Sequence, residues 1–138
     1  MIEKRLAIAA QLGADKICLP NDPCLINAGD VVFETAGSSK ATAELFSMAR
    51  YSGRVVQVGW PDINLVELDV AALMDKELDY VGVNRYANVY DTAITWLADG
   101  RIKTQEIITH RFTFDQAVEA FHWAADNPLD TIKVLVEN

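Results

Sequence analysis

The stretch from Gly29 to Trp60, GDVVFETAGSSKATAELFSMARYSGRVVQVGW, constrains the fold more than any other part of the chain. It opens on Val31-Val32-Phe33, an apolar run too short for a helix. Gly29-Asp30 precede it and Ala36-Gly37-Ser38 follow, the pattern of a strand buried on both faces. Ala41, Leu45, Met48 and Ala49 then recur at helical spacing. Ser38 or Ser39 can cap the start of that helix, and Gly53 stands where a left-handed C′ residue would end it. Arg54 to Val58 is again apolar and β-branched. A strand, helix, strand unit with such short joints predicts two parallel strands joined by a right-handed crossover.

The flanking segments extend this unit. Glu3 to Leu12 reads as an amphipathic helix, with Leu6, Ala9, Ala10 and Leu12 on one side and Gly13 as its stop. In an open parallel sheet each helix crosses over from a preceding strand, and none precedes this one. The chain therefore reads as beginning partway through a larger domain. Asp15 to Leu19 is expected to be a brief strand, ended by Pro20-Asn21-Asp22-Pro23. After a turn at Pro61-Asp62, Leu68 to Lys76 reads as a short helix that Asp69 helps to begin. Asp79 to Val83 reads as a third strand, suited to a sheet edge by the charge at its start. Tyr90, Ala93, Ile94, Leu97 and Ala98 form an apolar stripe, ended by Gly100. Thr113 and Gln116 have capping-box spacing, Phe112 and Ala117 can form a hydrophobic staple, and Val118, Phe121 and Ala125 are expected to continue a buried face. Ile132 to Val136 reads as a final strand. No repeat or linker divides the chain, so residues 1–138 are expected to form a single α/β domain.

Charge narrows the partners. A formal net charge of -8 and a pI near 4.6 argue against nucleic acid, which needs a clustered basic surface. No segment has the pattern of a signal peptide or the length of a bilayer span, so a cytoplasmic protein with no membrane partner is expected. Cys18 and Cys24 are the only cysteines, and their spacing matches no metal or redox motif. They are read as reduced thiols, and no metal ligand is assigned.

Ligands of open parallel sheets bind beyond the carboxyl ends of the strands, so the informative residues follow each apolar run. Thr35-Ala36-Gly37-Ser38, Gly59-Trp60 and Asn84-Arg85-Tyr86 fall on one rim by topology alone. Gly37 and Gly59 can let backbone approach a ligand, and Arg85 and Tyr86 can hydrogen-bond an oxygen-rich one. The plainer alternatives are turn glycines and a surface Arg-Tyr pair. His110 and His122 have no carboxylate or cysteine at ligand spacing and are read as structural or solvated. No two glycines are two residues apart, so the sequence holds no GxGxxG turn, and it holds no P-loop.

Five stretches carry a family likeness: RLAIAAQLGAD from Arg5, GDVVFETAGS from Gly29, GRVVQVGW from Gly53, ALMDKELDYVGVNRYAN from Ala72 and ITHRFTFDQAVEAF from Ile108. Together they resemble the C-terminal portion of a zinc-dependent medium-chain dehydrogenase, most of all the sorbitol (L-iditol) branch. The resemblance implies a truncated Rossmann-type parallel sheet flanked by helices, ending in the family's C-terminal return segment. It implies an oxidoreductase that oxidises a secondary alcohol of a polyol with NAD as acceptor and a zinc ion polarising the oxygen. By position, it implies that Arg5 meets the adenosine end of NAD. Val58, Gly59 and Trp60, and then Val83, Asn84 and Arg85, would lie along the nicotinamide. Arg85 and Tyr86 would contact substrate hydroxyls.

The departures from the family bear on activity. The zinc ligands, the glycine-rich turn and the acidic residue at the adenine ribose have no counterpart in this sequence, so the chain alone is expected to be inactive. Two readings stand: the NAD-binding part of a polyol dehydrogenase whose N-terminal catalytic half is supplied elsewhere, or a non-catalytic, self-associating binding module. Either way a homo-oligomer is expected, because unpaired strand edges invite another chain.

Overall fold

The computed structural model describes residues 3–138, which pack as two compact units. One unit spans Cys18–Tyr86 and carries the sheet predicted above. Its strands β1 (Gly29–Glu34), β2 (Ala49–Gln57) and β3 (Asp79–Gly82) are hydrogen-bonded in that order and all parallel. Helix α1 (Glu3–Gln11) belongs to the other unit, and α2 (Ser39–Met48) forms the crossover between β1 and β2. Ser38 is its cap, with Oγ accepting from Ala41 N at 3.4 Å. Helix α3 (Val70–Asp75) starts at Asp69, whose carboxylate accepts from Ala72 N at 2.9 Å. Both cap residues match the sequence reading.

The core lies on one face of this sheet. Leu45, Phe46 and Ala49 from α2 close on Val55, with Val32, Leu68, Ala72, Leu73 and Leu78 around them. Side chains alternate across a strand, so Val32 and Val55 point to α2 while Val31, Phe33 and Val81 share the other face. There Phe33 is 62% exposed and Val31 47%. Both-face burial of the first strand is therefore corrected to one-face burial: α2 and α3 pack on the Val32 side, whereas on the other face Val31 and Phe33 stay open to solvent beside Val56, which is 7% exposed.

Gly53 is not a helix stop. Helix α2 ends at Met48 and the chain runs directly into β2, where Gly53 sits in a register break opposite Gly29–Val31. A Cβ on Gly53 would lie 2.8 Å from Arg50 O and 3.2 Å from Asp30 O, so it is backbone crowding that requires glycine here. The end of α2 is held instead by Lys76. Lys76 is 9% exposed, and its ammonium donates to Phe46 O (2.7 Å), Ser47 O (3.2 Å) and Ala49 O (3.0 Å). A cation at the negative end of the helix dipole does the work of a C′ glycine. The expected strand over Asp15 to Leu19 is absent; these residues carry no regular structure.

The second unit holds α1 together with α4 (Tyr90–Ala98), β4 (Ile108–Thr113), α5 (Ala117–Asp126) and β5 (Lys133–Glu137). Strands β4 and β5 pair in parallel as a separate two-stranded sheet, and β4 lies in a stretch given no strand from sequence. The Thr113–Gln116 capping box is present, but the buried face of α5 is set by Ala120, 3% exposed, with Val118 at 71% and Phe121 at 80%. The stripe of α4 is likewise exposed at Tyr90, Ile94 and Leu97. Helix α5, which packs on β4 and β5, turns the small Ala120 inward because a two-stranded sheet offers little area to cover. No helix among the described residues is long and apolar enough to cross a membrane.

Candidate functional site

The rim at the carboxyl ends of β1, β2 and β3 is organised by Glu34, which sequence reasoning passed over. It is the last residue of β1 and only 2% exposed. One carboxylate oxygen accepts from Ala36 N (2.8 Å) and Gly37 N (2.9 Å), and the other from Gln57 Nε2 (2.8 Å). Its backbone carbonyl accepts from Val58 N (2.9 Å) and Gly59 N (2.8 Å). A buried carboxylate is stable when its lone pairs are filled, and here its partners are two turn amides and a side-chain amide. Gln57 extends the network, donating to Gly59 O at 2.7 Å and accepting from Tyr80 OH at 3.3 Å. Burial and the Glu34 charge raise the Tyr80 phenol above its ordinary value. An acid directly after an apolar run, followed by a Gly turn, was the signal that could have found Glu34.

The same network explains the rim glycines. Gly37 has φ +66°, and a Cβ there would stand 2.5 Å from Trp60 O. A Cβ on Gly59 would stand 2.4 Å from both Glu34 Oε2 and Gly37 N. These glycines let the two turns approach each other, so the space over their α-carbons is occupied by protein. Asp62 completes the junction: its N donates to Gly37 O and its carboxylate accepts from Ser39 N, both at 3.0 Å.

Between the ends of β2 and β3 lies an open cleft of about 380 Å³, lined by Val58, Gly59, Trp60, Gly82, Val83 and Asn84 among others. Trp60 is 81% exposed along its wall, and Val83 N is tied to Gln57 O at 2.9 Å. Five of the residues singled out from sequence thus meet in one place. Arg85 and Tyr86 follow on the chain outside the lining, and Arg85 has φ +58°, so the backbone turns sharply just past the cleft. Arg5 lies on α1 in the other unit, where its guanidinium donates to Pro128 O (3.2 Å) and Thr131 O (3.0 Å).

Cys18 and Cys24, apart in sequence, come together in the loop before β1 with Asp22. One ligand atom from each lies within 4.8 Å of the others. The Cys24 thiol is pushed up to about 11, by its hydrogen bond with Cys18 first, then by burial and by Asp22. His110 packs on the Trp123 ring, centroids 5.0 Å apart, and its Nδ1 is buried without a hydrogen-bond partner.

Residues 1–99 match the family model described as zinc-binding dehydrogenase. Sorbitol dehydrogenase of Bacillus subtilis (strain 168) is 34% identical over 107 residues, covering 78% of this chain and 30% of that protein. D-xylulose reductase of Saccharomyces cerevisiae is 30% identical over 151 residues, covering 99% of this chain and 42% of that protein. L-idonate 5-dehydrogenase from Escherichia coli K-12 superposes with a TM-score of 0.83 at 28% identity, over 96% of this chain and 40% of that structure. The chain spans less than half the length of these relatives. With a parallel sheet in the expected order and a family match over most of its length, the chain belongs to the zinc-binding dehydrogenases.

Proposed function

We propose that this chain provides the nicotinamide-facing part of an NAD-dependent, cytoplasmic polyol oxidoreductase. The observation that carries this reading is the cleft at the ends of β2 and β3, where Val58, Trp60, Val83 and Asn84 converge. Its volume, about 380 Å³, is at the small end for ligand pockets and suits one planar ring with its sugar rather than a whole dinucleotide. NAD supplies the hydride acceptor when bound. The chain's own part is to hold the ring against two strand ends, with Val58 and Val83 as an apolar floor. Arg85 and Tyr86, next on the chain, are the residues to meet the hydroxyls of a polyol.

The rim segments 34–37, 58–61 and 82–86 contain no cysteine or histidine, so the family's catalytic zinc does not fit there and no step is drawn through it. Turnover on this reading needs groups beyond these 138 residues: zinc ligands, a glycine turn at the pyrophosphate and an acid at the ribose. Lacking several charge-assisted hydrogen bonds of about 1.5–3 kcal/mol each, the chain by itself binds NAD in the millimolar range or weaker.

The test is an NMR titration of the isotopically labelled chain with nicotinamide mononucleotide, with adenosine monophosphate as control. The first should shift the amides of Val58, Trp60 and Val83 at millimolar concentration, and the second should leave them in place. If nicotinamide mononucleotide moves no cleft amide, the reading fails. Polyol-dependent NAD reduction by the pure chain would instead show that its own residues, or a second copy, rebuild the missing site.

A second reading, a self-associating module, rests on Val31, Phe33 and Val81, which stay exposed around the buried Val56 on one sheet face, and on the edges of β1 and β3. An apolar face beside unpaired backbone favours a second copy of the chain. The two readings are compatible, since the cleft and this face involve different residues.

A further inference from the structure

The loop that leads into β1 gathers three metal-ligating side chains that the family match leaves unexplained. Cys18 Sγ, a carboxylate oxygen of Asp22 and Cys24 Sγ all lie within 4.8 Å of one another. Around one tetrahedral zinc, with Zn–S about 2.3 Å and Zn–O about 2.0–2.2 Å, ligand atoms stand roughly 3.5–3.8 Å apart. A side-chain adjustment of about an ångström closes this triangle on a single ion.

The backbone holds the triangle in place. Asp22 N donates to Leu19 O at 3.1 Å across a turn in which Pro20 is followed by Asn21 at φ +64°, the conformation Asn tolerates best after Gly. Asp22 Oδ1 then accepts from Cys24 N at 2.9 Å and starts the short 3-10 turn Pro23–Leu25, so the acid and the second cysteine belong to one hydrogen-bonded turn. Just beyond, Asn27 N and Ala28 N donate to Ser47 O and Met48 O, both at 3.0 Å, which anchors the loop on the last turn of α2. Both thiols are half-buried and Asp22 is exposed, leaving one side of the triangle open to water.

We propose that Cys18, Asp22 and Cys24 bind one Zn²⁺ ion, with water as fourth ligand, and that the ion fastens this loop. Two thiolates and a carboxylate suit a borderline-soft d¹⁰ cation over Mg²⁺ or Ca²⁺, which prefer all-oxygen shells. On binding, each cysteine releases its proton to solvent. The site lies at the opposite end of the sheet from the cofactor rim. It precedes the first residue of β1 and sits on the C-terminal turn of α2, which runs antiparallel to the strands it connects. None of its residues belongs to the cofactor rim, and the expectation that these cysteines ligate no metal is what this proposal replaces.

The test uses the full chain, reduced and stripped with chelator, titrated with Co²⁺ and then Zn²⁺. One Co²⁺ per chain should bind with a thiolate-to-cobalt charge-transfer band, which Zn²⁺ then bleaches. The band should vanish in Cys18→Ser and in Cys24→Ser. Asp22→Asn should keep the band but weaken Zn²⁺ binding at least about tenfold. Far-ultraviolet circular dichroism in chelator checks that each variant is folded before it is compared. No charge-transfer band in the wild-type chain, unchanged Zn²⁺ affinity in the double serine variant, or one ion per two chains would overturn the proposal.

Discussion

Replacing Lys76 by Met should destabilise the protein far more than a surface substitution does. The Lys76 ammonium has three N–H donors and spends them on three carbonyls at the end of α2, at 2.7, 3.2 and 3.0 Å. Ser47 O also accepts from Asn27 N, so Phe46 O and Ala49 O bear most of the loss. Hydrogen bonds to a charged group contribute about 1.5–3 kcal/mol each, and relief of the buried ammonium's own desolvation offsets several kcal/mol of the total. The net expectation is a loss of about 2–4 kcal/mol. With a urea dependence of about 1.5–2 kcal/mol per molar, the unfolding midpoint should fall by roughly 1–2.7 M. Lys40→Met, on the exposed side of α2, is the control and should stay within about 0.5 kcal/mol. Amide exchange adds a local readout: Asn27 and Ala28, bonded to the same turn of α2, should exchange faster in Lys76→Met. A midpoint for Lys76→Met that matches Lys40→Met would refute the view that this lysine holds the helix end.

Gly59→Ala should cost about 1–3 kcal/mol or more, because its Cβ would meet Glu34 Oε2 and Gly37 N at 2.4 Å; Gly82→Ala, with nothing within 4 Å, should be near neutral in the same urea assay. The raised Tyr80 phenol sets a pH dependence: its contribution is fully present below the ordinary phenol value of about 10 and is lost as pH rises through the higher folded value. The wild-type midpoint should therefore drop more than that of Tyr80→Phe between pH 9 and 11, and parallel curves would exclude the effect. Glu34→Gln replaces one accepting oxygen with a donor where both oxygens accept, and should cost about 1–3 kcal/mol. For self-association, light scattering at high micromolar concentration should show a dimer or larger species that Phe33→Lys returns to monomer; a monomeric wild-type chain would eliminate this reading.

Much of the β1–α2–β2–α3–β3 unit could be read from local pattern. Its strands are β-branched runs between turn residues, and Ser38 and Asp69 announce their helices through bonds to amides a few residues away. Parallel order then follows from joints too short for any other arrangement, and that order alone brings Val58, Gly59, Trp60, Val83 and Asn84 to one cleft. Tertiary structure decided what depends on residues distant in sequence. Lys76 ends α2 from about thirty residues away, which freed Gly53 to serve a crowded register break. Glu34 became the centre of the rim only when β2 brought Gln57 beside it. The apolar stripes of α4 and α5 are periodic whether or not anything covers them, so sequence could not show that Val118 and Phe121 face solvent. Cys18, Asp22 and Cys24 match no spacing motif because a single turn, held by Pro20 and Asn21, folds them together. Sequence determines short-range hydrogen bonds and periodicity directly, whereas burial and long-range polar pairing exist only once the chain has closed on itself.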